Sequence, residues 1–370
     1  MSYCSDYVSR KISVLSTIAT VAVVIIHSNS LERFRDNRIA FVVGNAIAFL
    51  QHWAVPFFFM VSGFFFDRFW EGRSLRLSYF SFLKRKAFSI GLPYVFWGSV
   101  FGFFLMMPLK MIVNHQHGLV AWNSTIFDES SWWNVVNQTL GLGAVSNFVG
   151  AMWYLRALLL IFLAAPLWVC VRRISRLFML VMGFALILSF STITSGGGES
   201  IGEVWLGVHL NVASLGWFSL GTTISAFRLE EVKIPRGVIA FSALSWASAS
   251  GCVIVNRLVQ AEWSMMLCVW FRIAPLFLIV GWWGAVDYLP SCAIIKYSKW
   301  IGMRFWIYCM HHPVSSWVGG CVYTVVGHEL SGRVWLQCLQ APITLLVCYG
   351  SAIWVEKRAP RFFALLCGGR

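Results

Sequence analysis

Residues 12–28 read ISVLSTIATVAVVIIHS, a run without Asp, Glu, Lys or Arg that closes on His27 and Ser28. As a straight helix it lifts His27 roughly 22 Å above Ile12, most of the way across a bilayer core. Arg10 and Lys11 stand just before it, which suits a membrane helix and also the core of a secretory signal. No small-residue cleavage site follows and further apolar runs do, so the run is expected to remain as a helix.

Outward from that stretch, apolar runs of about 20 residues recur near 40–66, 87–108, 151–171, 177–194, 207–227, 237–256, 264–286, 303–326 and 335–355. They predict an all-α polytopic membrane protein of about ten helices, organised as one membrane domain over 1–370. The run 40–66 is longer than one span, and Pro56 inside it predicts a kink or a break. Composition agrees. The chain is 58% hydrophobic and only 12% charged, about half the charged fraction of a soluble domain, so it lacks the polar residues to cover a surface facing water. Twenty Trp and 31 Phe suit a bilayer core and its two interfaces.

A net charge of +14 raises the question of nucleic acid, which needs Lys and Arg clustered on one folded face. Here they fall in short runs between apolar segments, the pattern of loops held at an anionic membrane face. The partner expected is the lipid bilayer and not nucleic acid. Ten cysteines include no CxxC pair and most lie within apolar runs; they read as small hydrophobes, with neither a disulfide framework nor a metal site expected.

With the N-terminus inside, 21 of the 29 Lys and Arg fall in inside segments, six in outside loops and two within spans. The positive-inside rule therefore predicts both termini in the cytoplasm. The densest cationic stretch is the inside segment 67–86, with Arg68, Arg73, Arg76, Lys84, Arg85 and Lys86. The longest outside segment, 109–150, carries His115, His117, Asp128, Glu129, Trp132 and Trp133. Its aromatics suit packing on the membrane, and together with the acids they also suit a sugar.

Ionisable side chains inside spans are costly and by default mark function. They are His27, His52, Arg156, Arg272, His311 and His312. His27 follows Val23, Val24, Ile25 and Ile26, surroundings that favour neutral imidazole, the form a general base must have. The competing reading is a histidine resting at the membrane interface, which also suits His52 beside Trp53. Arg156 follows Trp153 and Tyr154 near the outer end of its run and has the reach to snorkel outward. Arg272 lies mid-run, where an acceptor or an anionic ligand is expected to meet it.

Five segments in order resemble the membrane-bound acyltransferase 3 family of bacterial O- and N-acyltransferases. ISVLSTIATVAVVIIHS is similar to its opening helix, HWAVPFFFMVSGFFF at 52–66 to its second motif, and KRKAFSIGLPYVFW at 84–97 to its basic-then-PY element. WYLRALLLIFLAAPL at 153–167 and FWIYCMHHPV at 305–314 resemble later family segments. The resemblance runs from residue 12 to about 320. It implies transfer of an acyl group, often acetyl, from cytoplasmic acyl-CoA to a hydroxyl or amine of a cell-surface glycan. It also implies residence in the bacterial inner membrane, with no permanently bound cofactor.

Carried over, the resemblance makes His27 the essential histidine. Ser62 and Gly63 become the SG pair, Arg85 the basic element, Tyr94 the tyrosine of PY, and Tyr308 with His311 the late Tyr-x-x-His. Arg156 matches a polar position. The chain departs from many members at Ser16, where they have an arginine eleven positions before the histidine; either a neighbouring residue supplies that cation or the chemistry is altered.

The mechanism expected from these residues begins with Arg76, Lys84, Arg85 and Lys86 holding the coenzyme A phosphates at the inner face. His27 takes the proton of the acceptor hydroxyl, and Arg272, Arg156 or His311 stabilises the oxyanion. A transporter of a lipid-linked glycan is the alternative; it needs polar residues along a whole path, and few charges lie within these spans.

Overall fold

The computed structural model of the chain describes residues 6–29, 31, 37–99, 150–189, 212–259, 265–289, 301–326 and 329–369. Among them all regular structure is helical. The first four helices are α1 (Asp6–His27), α2 (Arg38–Gln51), α3 (Ala54–Trp70) and α4 (Leu75–Lys86), followed by a π-helical turn at Ala87–Gly91 and the short α5 (Leu92–Val95). Then come α6 (Trp153–Leu163), α7 (Ala165–Ile174), α8 (Arg176–Leu188), α9 (Val212–Ala226) and α10 (Arg236–Val259). The last are α11 (Met265–Ala285), α12 (Ile301–Val326), α13 (Leu330–Arg358) and α14 (Pro360–Leu366).

Among the described residues five stretches are long and apolar enough to cross a membrane, with α2 and α3 counted together as Arg38–Trp70, or six if the bent pair α6 and α7 makes one span. α12 is long enough at 26 residues, but its two histidines and its serines dilute its apolar character.

Two of the apolar runs are divided, one of them where a kink or a break was expected. The run 40–66 forms α2 and α3, broken at His52–Trp53, and Pro56 falls in the first turn of α3. A proline is tolerated there because the first-turn N–H groups have no intrahelical acceptor. His52 caps α2, its ring Nδ1 lying 2.7 Å from the Ala48 carbonyl, which gives that histidine a local role. The run 151–171 forms α6 and α7, bent by 61° at Ala164, with Pro166 opening the second piece. The segment 67–86 is mostly helix, the end of α3 and all of α4 around a turn. The run 87–108 begins as the π turn and α5 and continues helically to Ser99; from Val100 on it lies outside the described residues, as does nearly all of 109–150.

α3 packs on α9, α8 on α9, α10 on α11, and α12 on both α1 and α13. The α3–α9 contact depends on two glycines. A Cβ at Gly63 would stand 2.0 Å from the Phe218 carbonyl oxygen, and one at Gly221 would stand 1.9 Å from that of Met60. Backbones this close admit no side chain, so Gly63 has a packing role besides its place beside Ser62. The surrounding core is aromatic, with Phe66, Phe82, Phe162 and Phe218 in mutual ring contact.

Several cations assigned to inside segments are held in ion pairs, Lys11 fully buried and Arg68 and Arg172 partly buried. Lys11 meets Asp287 at 2.5 Å, with both side chains almost wholly buried. Asp67 pairs with Arg172, and Arg68 with Glu230. The pairs fasten α1 to the turn Val286–Tyr288, α3 to the turn Leu229–Glu231, and α3 to α7.

Candidate active site

α1 ends on His27, and α12 carries His311 and His312 just before Pro313. Because α1 and α12 pack together, the three imidazoles meet. The His27 ring centre lies 5.1 Å from that of His311 and 5.2 Å from that of His312, and His311 and His312 are 6.5 Å apart. Pro313 lacks the N–H that would bond the Cys309 carbonyl, loosening the turn that carries the pair.

His311 is fully buried. Its Nδ1 lies 2.6 Å from the Tyr308 carbonyl oxygen. A carbonyl only accepts, so Nδ1 carries the hydrogen and the neutral ring keeps its lone pair on Nε2. That Nε2 is buried and has no hydrogen-bond partner among the described residues. A buried polar atom left in this way costs about 1–3 kcal/mol and asks for a functional reason. His27 is half-buried, so a ligand can reach it while His311 stands behind.

From His311 a line of polar groups runs back through the bundle. The Tyr308 ring is 5.9 Å from His311 and 5.8 Å from Tyr154, and its hydroxyl donates to the Ala151 carbonyl. Tyr154 Oη lies 3.2 Å from Ser62 Oγ. Ser62 donates its own hydrogen to the Phe58 carbonyl at 2.8 Å, so the tyrosine is the donor of that pair. Four residues singled out in the sequence (His27, Ser62, Tyr308 and His311) thus fall along one line, and Tyr154 is the link that sequence reasoning missed.

Polar clamps hold α1 against α12 on both sides of the histidines. Beyond them, Gln340 Nε2 donates to Ser315 Oγ at 2.9 Å. Ser315 Oγ lies 3.0 Å from Ser28 Oγ and donates to the His27 carbonyl at 3.3 Å. Toward the start of α12, Arg304 is buried and its Nη1 donates to the Ser13 carbonyl. The same nitrogen reaches the Ser13 and Thr17 hydroxyls, each at 3.1 Å. Ser13 and Thr17 bracket Ser16, so a cation does reach that part of α1, from another helix. The sequence count had placed Arg304 at the end of the inside segment 287–304, with the loop cations.

The remaining residues are distributed more widely. Arg156 is 8% exposed and therefore buried among helices, which corrects the snorkelling reading; Tyr94 is its electrostatic neighbour. Arg272 is half-buried in mid-α11, and the adjacent Phe271 packs on Phe49 and His52 beside the α2–α3 break.

Lys84, Arg85 and Lys86 line a second feature, a cavity of about 910 Å³ walled by Phe65, Phe66, Phe69, Phe82 and Phe88. Arg76 lies on the exposed side of α4 and does not line it. Arg361, which the sequence had not singled out, does. Arg85 sits 4.6 Å over the Phe69 ring and Lys86 4.4 Å over that of Phe162, so these cations rest on aromatic faces as well as facing the cavity.

The family model of acyltransferase 3, described as an acyltransferase domain, matches residues 11–354, nearly the whole chain. No curated protein and no solved structure matches it.

Proposed function

Since the chain belongs to the acyltransferase 3 family and is an acyltransferase, we propose that it takes an acyl group, acetyl in the first instance, from cytoplasmic acyl-CoA and places it on a hydroxyl or amine of a cell-surface glycan or related envelope molecule. The observation that carries this reading is the histidine cluster. An accessible imidazole, His27, stands next to a buried one whose Nε2 lone pair is directed by the Tyr308 carbonyl.

In this reading His27 accepts the proton of the acceptor hydroxyl, and the oxygen attacks the thioester carbonyl carbon. The C–S bond then breaks, and the departing thiolate takes the proton back from His27. His311 holds a lone pair beside the imidazolium while it exists and so favours its formation. Arg156 and Arg272, two cations within spans, meet the transient oxyanion in this reading, where low dielectric strengthens such contacts. Lys84, Arg85 and Lys86 meet the donor's phosphates.

The protein is a multi-pass membrane protein. We place it in the bacterial inner membrane with ten spans and both ends in the cytoplasm, a reading supported by the sequence asymmetry of Lys and Arg.

The test is mass spectrometry of envelope glycans from cells with and without the gene. An acetyl-sized mass difference on a glycan is expected. Unmodified glycans of unchanged mass that are lost from the surface without the gene would instead make the chain a transporter.

A further inference from the structure

The helix α14 and the residues after it are held in place by contacts with α12, with Trp97 and with the π turn. Phe363 stacks on Trp306 of α12 with ring centres 5.3 Å apart, and Trp97 Nε1 donates to the Leu366 carbonyl at 3.3 Å. Cys367 is fully buried. Gly368 has φ of 72°, and a Cβ there would stand 2.1 Å from the Ser89 carbonyl oxygen. Only glycine accepts both that backbone angle and that approach. The chain is thereby laid directly on the π turn that follows Lys84, Arg85 and Lys86.

The consequence is that the cationic cavity has walls from two distant parts of the sequence. Arg361, Gly368 and Gly369 line it together with the Lys84–Lys86 cluster. A site with four cations and phenyl walls suits a phosphorylated anion that carries an organic arm. A coenzyme A thioester has that chemistry, and so does an anionic phospholipid headgroup. Trp306, on which α14 is stacked, lies five residues before His311, about 7.5 Å along α12, so the cavity wall and the histidines share one helix.

We propose that segment 360–369 forms the closing wall of the acyl-donor pocket, and that Arg361 binds a donor phosphate there. This rests on the acyl-CoA reading given above. Arg361 is exposed and lies just past the stretch matched by the family model, which ends at residue 354, so its role comes from where the segment is anchored.

The experiment measures coenzyme A binding to the full chain in nanodiscs of phosphatidylcholine, then with phosphatidylglycerol added. Arg361→Gln is expected to weaken binding about tenfold or more, the effect of one lost charge-assisted contact, with unchanged thermal unfolding. Gly368→Val, which forces the segment off Ser89, is expected to weaken it as well. The Lys84→Ala/Arg85→Ala variant is the reference. If that variant loses affinity and Arg361→Gln does not, the wall assignment is overturned while the donor pocket stands. If neither loses affinity, the donor reading of the cavity falls too. If Arg361→Gln alters only the retention of phosphatidylglycerol, the segment serves a lipid headgroup and the proposal is overturned.

Discussion

His311→Gln is expected to lower acyl transfer by about 10²–10⁴-fold, the range for losing acid–base function, while leaving donor binding intact. The reason is the direction of the ring. The Tyr308 carbonyl takes the Nδ1 hydrogen, so Nε2 is the basic atom, and it is buried beside His27. Glutamine fills much of the same space and can still hydrogen-bond to the Tyr308 carbonyl, but its amide takes up no proton near neutrality. A histidine that merely fills the core between α1 and α12 would tolerate it with a small loss of stability and near-normal transfer. Residues that act as one unit are not additive, so adding His27→Gln is expected to reduce the rate no further than the worse single change. Transfer rates of the two single variants and the double variant, with thermal unfolding as a control, decide between these outcomes.

Asp287→Ala is expected to cost about 3–5 kcal/mol of stability, the penalty for removing one partner of a buried ion pair. Lys11 and Asp287 are 2.5 Å apart with 1% and 2% of their side chains exposed, and the Tyr7 hydroxyl donates to the same carboxylate oxygen. With the carboxylate gone, Lys11 keeps only the faces of Trp283 and Tyr7, at 4.6 and 5.5 Å. Those contacts offset a smaller part of its lost hydration. Asp287→Asn preserves an oxygen for Tyr7 and is expected to cost less. Unfolding in detergent measures both, and an Asp287→Ala protein as stable as the parent would show that Lys11 finds water or another acceptor at that site.

The positions of the helices were legible in the sequence because hydropathy integrates over twenty residues and tolerates errors at the ends. α1, α10, α11, α12 and α13 begin and end within about eight residues of the apolar runs that predicted them. The breaks were less legible. Pro56 signals an interruption, but a proline can stand in the first turn of the helix that follows the break, and α3 begins two residues before it.

The histidines were found because an ionisable group in an apolar run is conspicuous one residue at a time. Tyr154, Ser315 and Gln340 are ordinary by that measure. Their part depends on which face of α6, α12 and α13 turns inward, and an apolar run surrounded by lipid and protein has no polar face to reveal it. Charge deceived for a related reason. Lys11 and Arg304 lie at the edges of basic segments, where counting treats them as loop cations, yet folding draws both inside.

The most direct test is the acyl content of envelope glycans in cells whose only copy carries His27→Gln. If His27 is the base, the protein inserts and binds acyl-CoA, yet the glycans match those of cells lacking the gene. Glycans acylated to the normal extent by the His27→Gln protein would contradict the account, because an amide at position 27 cannot take the proton that transfer requires.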